Sequence, residues 1–211
     1  MIYLILTASL HNHVLSSISE DRLARYRYAM TETFRFVPLG VQPIIVENTG
    51  RGAMLEGFSC HGQPVPVVNT ENGGLSLRNK GVNEWLDIRA VIDRVGLRDE
   101  DLVVKLTGRY RLLSSQFLEH IRHTQDTHDA WFRFMNVCTG EKDPYDCVLG
   151  CYGARVSLLR FLSWSWLNLF DSPEKGMARF LRSSVGSSRL AEMDCLDVEC
   201  VFSENGRVLC V

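Results

Sequence analysis

Lys105, Thr107 and Arg109 recur at every second position through the run LVVKLTGRYRLL. An extended chain turns alternate side chains to one face, so this spacing lines up two cations and a hydroxyl at the end of an apolar strand. Cations held there suit a phosphate. Gly108 permits close approach to the backbone, and Tyr110 offers a ring to stack on a base or sugar. The alternative for Arg109 is an ion pair with a structural carboxylate.

Other polar groups fall at the ends of other apolar runs. Thr7, Ala8 and Ser9 follow the run Ile2 to Leu6; Glu47 and Asn48 follow IIV; Asn69 to Asn72 follow PVPVV. Ligands of an open α/β sheet bind outside the carboxyl ends of its strands, where loops converge and helix N-termini present backbone donors. Together these residues supply hydrogen-bonding groups for a base and ribose and cations for phosphate.

The elements that must position them alternate between short apolar runs and helical periodicity, the pattern of a mainly parallel sheet covered by helices. Ser17 to Glu20 reads as a capping box opening a helix with Leu23, Tyr26, Met30 and Phe34 on one face. Pro43 precedes the second strand, and the two prolines of PVPVVN favour an edge position or an irregular start for the third. A glycine-bearing loop, Asn69 to Asn83, leads to a helix striped by Trp85, Ile88, Ile92 and Val95. Further expectations are a helix over Ser114 to Thr124, a strand at AWFRFM, a loop at NVCTGEKDPYD and a strand in CVLGCYGARV. Helical SLLRFLSWSWLNLF, more helix through Leu190 to Met193 and a terminal RVLCV run complete the chain. The expected architecture is α/β, one domain over 1–211, parallel in its first half and mixed in its second.

Composition narrows the partners. The 211 residues are 45% hydrophobic and 23% charged, enough for a sizeable core. With 23 basic and 25 acidic residues there is no overall electrostatic footprint for nucleic acid. Seven cysteines, an odd number without a C-x-x-C pair, suit buried thiols in a reducing compartment, hence a cytoplasmic location. No apolar run is long enough to span a membrane; the LLRFLSWSWLNLF stretch reads as a core helix, with contact at a membrane surface the alternative. The segment TASLHNH after the first strand lacks G-x-G-x-x-G, and no G-x-x-x-x-G-K-[ST] occurs, which argues against dinucleotide and P-loop folds. His120, His123 and His128 lack the partners of a zinc set and read as surface histidines. His11 and His13 lie near the expected cleft mouth.

The order of elements, with LRNKGVNEW opening a helix and DLVVKLTGRYRLL closing a strand, resembles the GT-A fold of nucleotide-sugar glycosyltransferases. DCVLGCYGARVSLLRFL and SRLAEMDCLDV resemble the acceptor-side portion of such enzymes, and the likeness extends to the glycosyltransferase domain of a chlorovirus multidomain protein. The resemblance implies transfer of a sugar from a UDP-sugar to a glycan hydroxyl. It sets Thr7, Ala8 and Ser9 beside uracil and ribose with Glu47 or Asn48 nearby, and Lys80 near the diphosphate. Lys105 and Arg109 would then stabilise charge on the leaving diphosphate. A carboxylate must serve near the anomeric carbon; AEMDCLDVE supplies Glu192, Asp194, Asp197 and Glu199, with Glu192 the first choice at an expected helix start and Asp194 the second. The family's Asp-x-Asp is missing after the strand that ends in TGRY. Asp99-Glu100-Asp101 precedes that strand, at the wrong end of the sheet. Glu141, Asp143 and Asp146 of EKDPYD remain as hard ligands for Mn²⁺ or Mg²⁺, with a solvated acidic loop as the alternative. A binding module without catalysis on the same fold is the alternative function.

Overall fold

The structure, a computed structural model, describes residues 1–10, 20–72, 80–202 and 207–211, with the side chains of Lys80 and Trp164 outside the description. Its centre is a seven-stranded sheet built from β1 (Ile2–Ala8), β2 (Val41–Glu47), β5 (Val67–Asn69), β6 (Leu102–Thr107), β8 (Ala130–Phe132), β9 (Cys151–Arg155) and β10 (Leu190–Glu192), in the order β5-β2-β1-β6-β9-β8-β10. Only β9 runs antiparallel to its neighbours β6 and β8; the other pairs are parallel. The expected parallel first half and mixed second half are both present. Two short strands, β3 (Ser59–Cys60) and β4 (Gln63–Pro64), form a separate hairpin, and β7 (Arg111–Leu112), β11 (Val198–Val201) and β12 (Val208–Cys210) make a three-stranded sheet.

Period-two alternation in the central strands divides the core. Leu4, Leu6, Val104 and Leu106 face the side covered by α1 (Glu20–Phe34) and α3 (Gln116–Thr124). Ile5, Ile44, Val46 and Val103 face α2 (Lys80–Val95), α4 (Val156–Phe161) and α6 (Pro173–Ser184), with α5 (Trp164–Asn168) contributing Leu167 to the same side. The α1 stripe is as expected at Tyr26, Met30 and Phe34. In α2 the buried stripe is Trp85, Ile88, Val91 and Ile92, whereas Val95 is exposed where the helix runs past the sheet.

Three local expectations need correction. Pro43 lies inside β2, in register with Leu4; β5 pairs only from Ile45 onward, so β2 is still an edge at Pro43 and tolerates its missing donor. Leu190 to Glu192 form a strand, not a helix, because they pair in parallel with β8. The strand carrying Lys105 stops at Thr107: Gly108 N–H donates to Thr7 O at 2.8 Å and Tyr110 N–H returns to Thr107 O at 2.7 Å, turning the chain before Arg109. Ser17 of the expected capping box lies outside the described residues, as do His11 and His13.

The chain passes from β1 outward to β2 and β5, then returns through α2 to lay β6 on the other side of β1. The sheet's switch point therefore lies between β1 and β6, outside the carboxyl ends that carry Thr7 and Thr107.

Candidate functional site at the ends of β1, β2 and β6

On the α2 face of the switch point the polar groups are tightly committed. Lys105 is 2% exposed in the middle of the sheet. Its ammonium pairs with Glu84 and donates to Thr107 Oγ1 and Leu149 O, both at 2.7 Å, so all three protons are used. Thr107 Oγ1 in turn donates to Glu84 Oε2 at 3.1 Å. Burial would push the Glu84 carboxyl up, but Lys105 beside it holds it below the usual carboxylate range. Lys105 is thus neutralised inside the fold, and sequence reasoning missed the residue that neutralises it.

Asp87, one turn further along α2 and fully buried, anchors a second cluster. Asn48 Nδ2 donates to Oδ2 at 2.8 Å, while Thr70 Oγ1 and Asn72 Nδ2 donate to Oδ1 at 2.7 and 2.9 Å. Burial pushes its pKa up to about 6 against these three bonds, which lower it, and Glu84 adds a raising contribution. Asp87 thereby ties the loops after β2 and β5 to α2. Glu47 does similar work for the loops after β1 and β2, accepting from Leu10 N, Thr49 N and Oγ1, and Arg51 N at 2.5 to 3.1 Å. It shapes these loops and has no oxygen left for a ribose. Beside these clusters, Thr7 Oγ1 and Asn48 Oδ1 are buried without a hydrogen-bond partner among the described residues. Ala8 is buried beneath them, and Ser9 contributes its backbone, donating N–H to the Tyr26 hydroxyl at 3.2 Å and accepting Arg22 Nε at 2.6 Å.

On the α1 face the arrangement is different. Arg109, carried past the turn at Gly108, lies against Tyr26: Nη1 donates to the hydroxyl at 3.1 Å, and the guanidinium carbon stands 5.9 Å from the ring centroid. Among the described residues it forms no close ion pair and its Nε is buried without an acceptor; burial would lower its pKa, but Tyr26 and the Glu84 carboxylate raise it. Lys105 and Arg109 therefore differ in their direct partners, Glu84 for the one and Tyr26 for the other, but both cations act on the Glu84 carboxylate and lower its pKa. Gly108 serves packing rather than ligand approach, since a Cβ there would meet Met30 Cε at 2.8 Å and Thr7 O at 2.9 Å. Tyr110 is also a core residue; burial pushes its hydroxyl pKa up, and its ring fills the space left open by Gly150. Lys80 opens α2 at the same end of the sheet, its side chain outside the description.

The expected catalytic carboxylates stand apart. Glu192 ends β10, three strands from β6, which at the usual strand spacing is roughly 14 Å. Its carboxylate pairs with Arg182, and that bond holds its pKa below the usual range, which makes it a poor proton acceptor. Asp194 is exposed and borders, with Glu192, Arg133 and Lys142, a cleft of about 120 Å³. Glu199 is tied to Arg111 by two hydrogen bonds, and Asp197 accepts from the Ser114 hydroxyl.

The donor set does not fit a divalent ion at the strand end where the resemblance implies one, because Thr107 to Tyr110 supply no carboxylate. Asp143 caps Tyr145 N and Asp146 caps Cys147 N, both at 2.9 Å. Asp101 accepts from Arg98 N at 2.8 Å and Asp99 pairs with Arg160, both at the opposite end of the sheet. Among the described residues no three His, Cys, Asp or Glu side chains gather to hold a metal. His120 and His123 are exposed on α3, and His123 and His128 bond locally to Glu119 O and Thr127. All seven cysteines are free.

No family model and no curated protein matches the chain. Among solved structures, that of Rv0371c from Mycobacterium tuberculosis H37Rv is similar at a TM-score of 0.49 and 14% identity, covering 91% of this chain and 87% of that one. No statement about function follows from that likeness.

Proposed function

We propose that this chain binds a nucleotide sugar, a UDP-sugar by preference, across the β1/β6 switch point and transfers the sugar to a glycan hydroxyl. The observation that carries the reading is Arg109: a guanidinium at the carboxyl end of the central strands, with no close ion pair among the described residues and an unmet Nε donor. A planar fork of this kind matches phosphate oxygens and stabilises the charge that a departing nucleoside diphosphate gains. Thr7 Oγ1 and Asn48 Oδ1, buried and without a partner among the described residues, supply a donor and an acceptor toward base or ribose. Asp194, exposed beside the cleft at β10 and outside the ion pair that engages Glu192, is the candidate base for the acceptor hydroxyl, which requires donor and acceptor to bridge the roughly 14 Å between β6 and β10. Charge neutralisation falls to Arg109 and no step runs through a metal. The free cysteines accord with a reducing, cytoplasmic setting.

The second reading, a binding module without turnover, is favoured by the ion pairs that silence Lys105 and Glu192. Incubation with UDP-, GDP- and CMP-sugars, following nucleotide release and thermal shift, separates the two. Release from UDP-sugars supports transfer, and a UDP-induced rise in melting temperature without release supports the module. Equal shifts with adenosine nucleotides, or none at saturating UDP, count against both.

A further inference from the structure

The end of α4, helix α5 and the turn into α6 place large apolar side chains in solvent. Phe161 is 75% exposed, Leu169 74% and Trp166 37%, in a chain whose other apolar residues are mostly interior. These side chains are held in place from below. Trp166 Nε1 donates to Gly176 O at 3.0 Å, and its ring meets the Phe170 ring edge-on at 5.3 Å. Gly176 makes the close approach possible, since a Cβ there would lie 2.8 Å from Phe170 Cδ2 and 3.4 Å from Leu167 Cα. Phe161 and Phe170 rest on consecutive residues of α6, Phe180 at 6.1 Å between ring centroids and Arg179 at 5.1 Å from its guanidinium carbon.

Cations border this apolar strip. Lys175 and Arg179 are exposed and four residues apart, so they share one face of α6 beside Phe170. Neither forms an ion pair among the described residues. Of the four cations in residues 160–182, Arg160 and Arg182 are paired with Asp99 and Glu192, which leaves Lys175 and Arg179 to meet an anionic surface. Rigidly held Trp, Phe and Leu side chains next to unpaired cations match the two layers of an anionic membrane surface: acyl and headgroup boundary for the rings, lipid phosphate for the cations. No helix among the described residues is long and apolar enough to cross a bilayer, so the contact is superficial.

The strip also adjoins the sheet's carboxyl end. Leu167 of α5 points inward and lines, with Gly81, Glu84 and Lys105, the small cavity beside the buried ion pair. At the start of α6, Pro173 packs so closely on Gly81 that a Cβ there would meet it at 2.7 Å. We infer that the α5–α6 face docks this protein on the surface of an anionic lipid bilayer, with the carboxyl end of the sheet held near the lipid. This inference does not rest on the donor reading, and either can fail alone.

The test is co-flotation of the full chain with vesicles of phosphatidylcholine alone and of equal parts phosphatidylcholine and phosphatidylserine. Binding is expected to the mixed vesicles, weak on phosphatidylcholine, and weakened by salt. Phe161→Ser with Leu169→Ser, and separately Lys175→Glu with Arg179→Glu, should each reduce it at least about tenfold with an unchanged melting temperature. No binding of the wild-type chain to mixed vesicles overturns the proposal, as does equal binding to both kinds. Self-association of the wild type that disappears in the Phe161→Ser, Leu169→Ser variant would instead make the strip an interface between copies and would also overturn it.

Discussion

Arg109 and Tyr26 meet in two ways, through the hydrogen bond from Nη1 to the phenol oxygen at 3.1 Å and through the guanidinium lying 5.9 Å from the ring centroid. Tyr26 also receives Ser9 N–H and a second guanidinium, that of Arg22, 5.7 Å from its centroid. One tyrosine of α1 thus organises the segment after β1 and the segment after β6, and holds Arg109 without neutralising it.

Arg109→Ala is therefore expected to abolish most of the UDP-induced rise in melting temperature and to slow any turnover, while the apo protein melts within a few degrees of wild type. Arg109→Lys should recover little, because an ammonium does not reproduce the planar fork. Tyr26→Phe keeps the ring but loses the acceptor, costing about 1 kcal/mol. An unchanged UDP response in folded Arg109→Ala would assign the guanidinium to structure alone.

The Glu84–Lys105 pair makes an energetic prediction. Exchanging the carboxylate for an amide in Glu84→Gln removes the countercharge and leaves a nearly inaccessible ammonium with neutral acceptors alone, the amide oxygen besides Thr107 Oγ1 and Leu149 O. Breaking a buried pair in this way costs about 3 kcal/mol, at the low end of its range because those two bonds remain. Lys105→Met combined with Glu84→Gln removes the stranded charge and should regain much of the loss in urea unfolding. Additive losses in the double variant would show that the pair contributes no coupling.

Asp87 gives a pH dependence of opposite sign to the ion-paired carboxylates. Its folded pKa, about 6, exceeds the ordinary value of 3.8, so folding favours the protonated form. The stability this contributes is fully present below about pH 4 and is lost as pH rises through about 6, roughly 3 kcal/mol by linkage. Glu84, Asp101 and Asp129, whose pKa values are lowered, lose stability as pH falls instead. The Asp87 contribution is isolated by comparing urea midpoints of wild type and Asp87→Asn between pH 4 and 7. The difference between the two proteins should change from pH 4 to about 6 and level off above it, and a constant offset throughout would place the Asp87 pKa outside the window.

How much of this was legible in the sequence varies by element. Alternation correctly paired Lys105 with Thr107, which share a hydrogen bond, but carried the strand two residues too far because Gly108 looks like any strand residue until Thr7 O is seen against it. The partners in α2 left a signal that went unread: Glu84 and Asp87 each fall four residues before a stripe residue, Ile88 and Val91, on the apolar stripe itself. Carboxylates in that position must be satisfied by something buried. Three-residue strands such as Leu190 to Glu192 have no periodicity of their own, and pairing with β8 decides them. The role of Tyr26 was hidden because its ring satisfies the apolar pattern while its hydroxyl does the positioning.

Gly108 tests whether the switch point depends on close contact between β1 and the turn after β6. A methyl group at this position would lie 2.8 Å from Met30 Cε, 2.9 Å from Thr7 O and 3.0 Å from Tyr26 Cδ1. The methionine can swing away, but the Thr7 carbonyl accepts the Gly108 N–H at 2.8 Å and cannot retreat without lengthening that bond. Gly108→Ala is expected to cost about 2 kcal/mol, as overpacking of a tight site does. It should also weaken the UDP response, because the displaced turn carries Arg109. Gly186→Ala is the matched control: its φ is −58° and nothing lies within 4 Å of the added carbon, so it should be neutral or slightly stabilising. If Gly108→Ala melts with Gly186→Ala and binds UDP as the wild type does, the turn is more yielding than its contacts imply and Arg109 is not positioned by it.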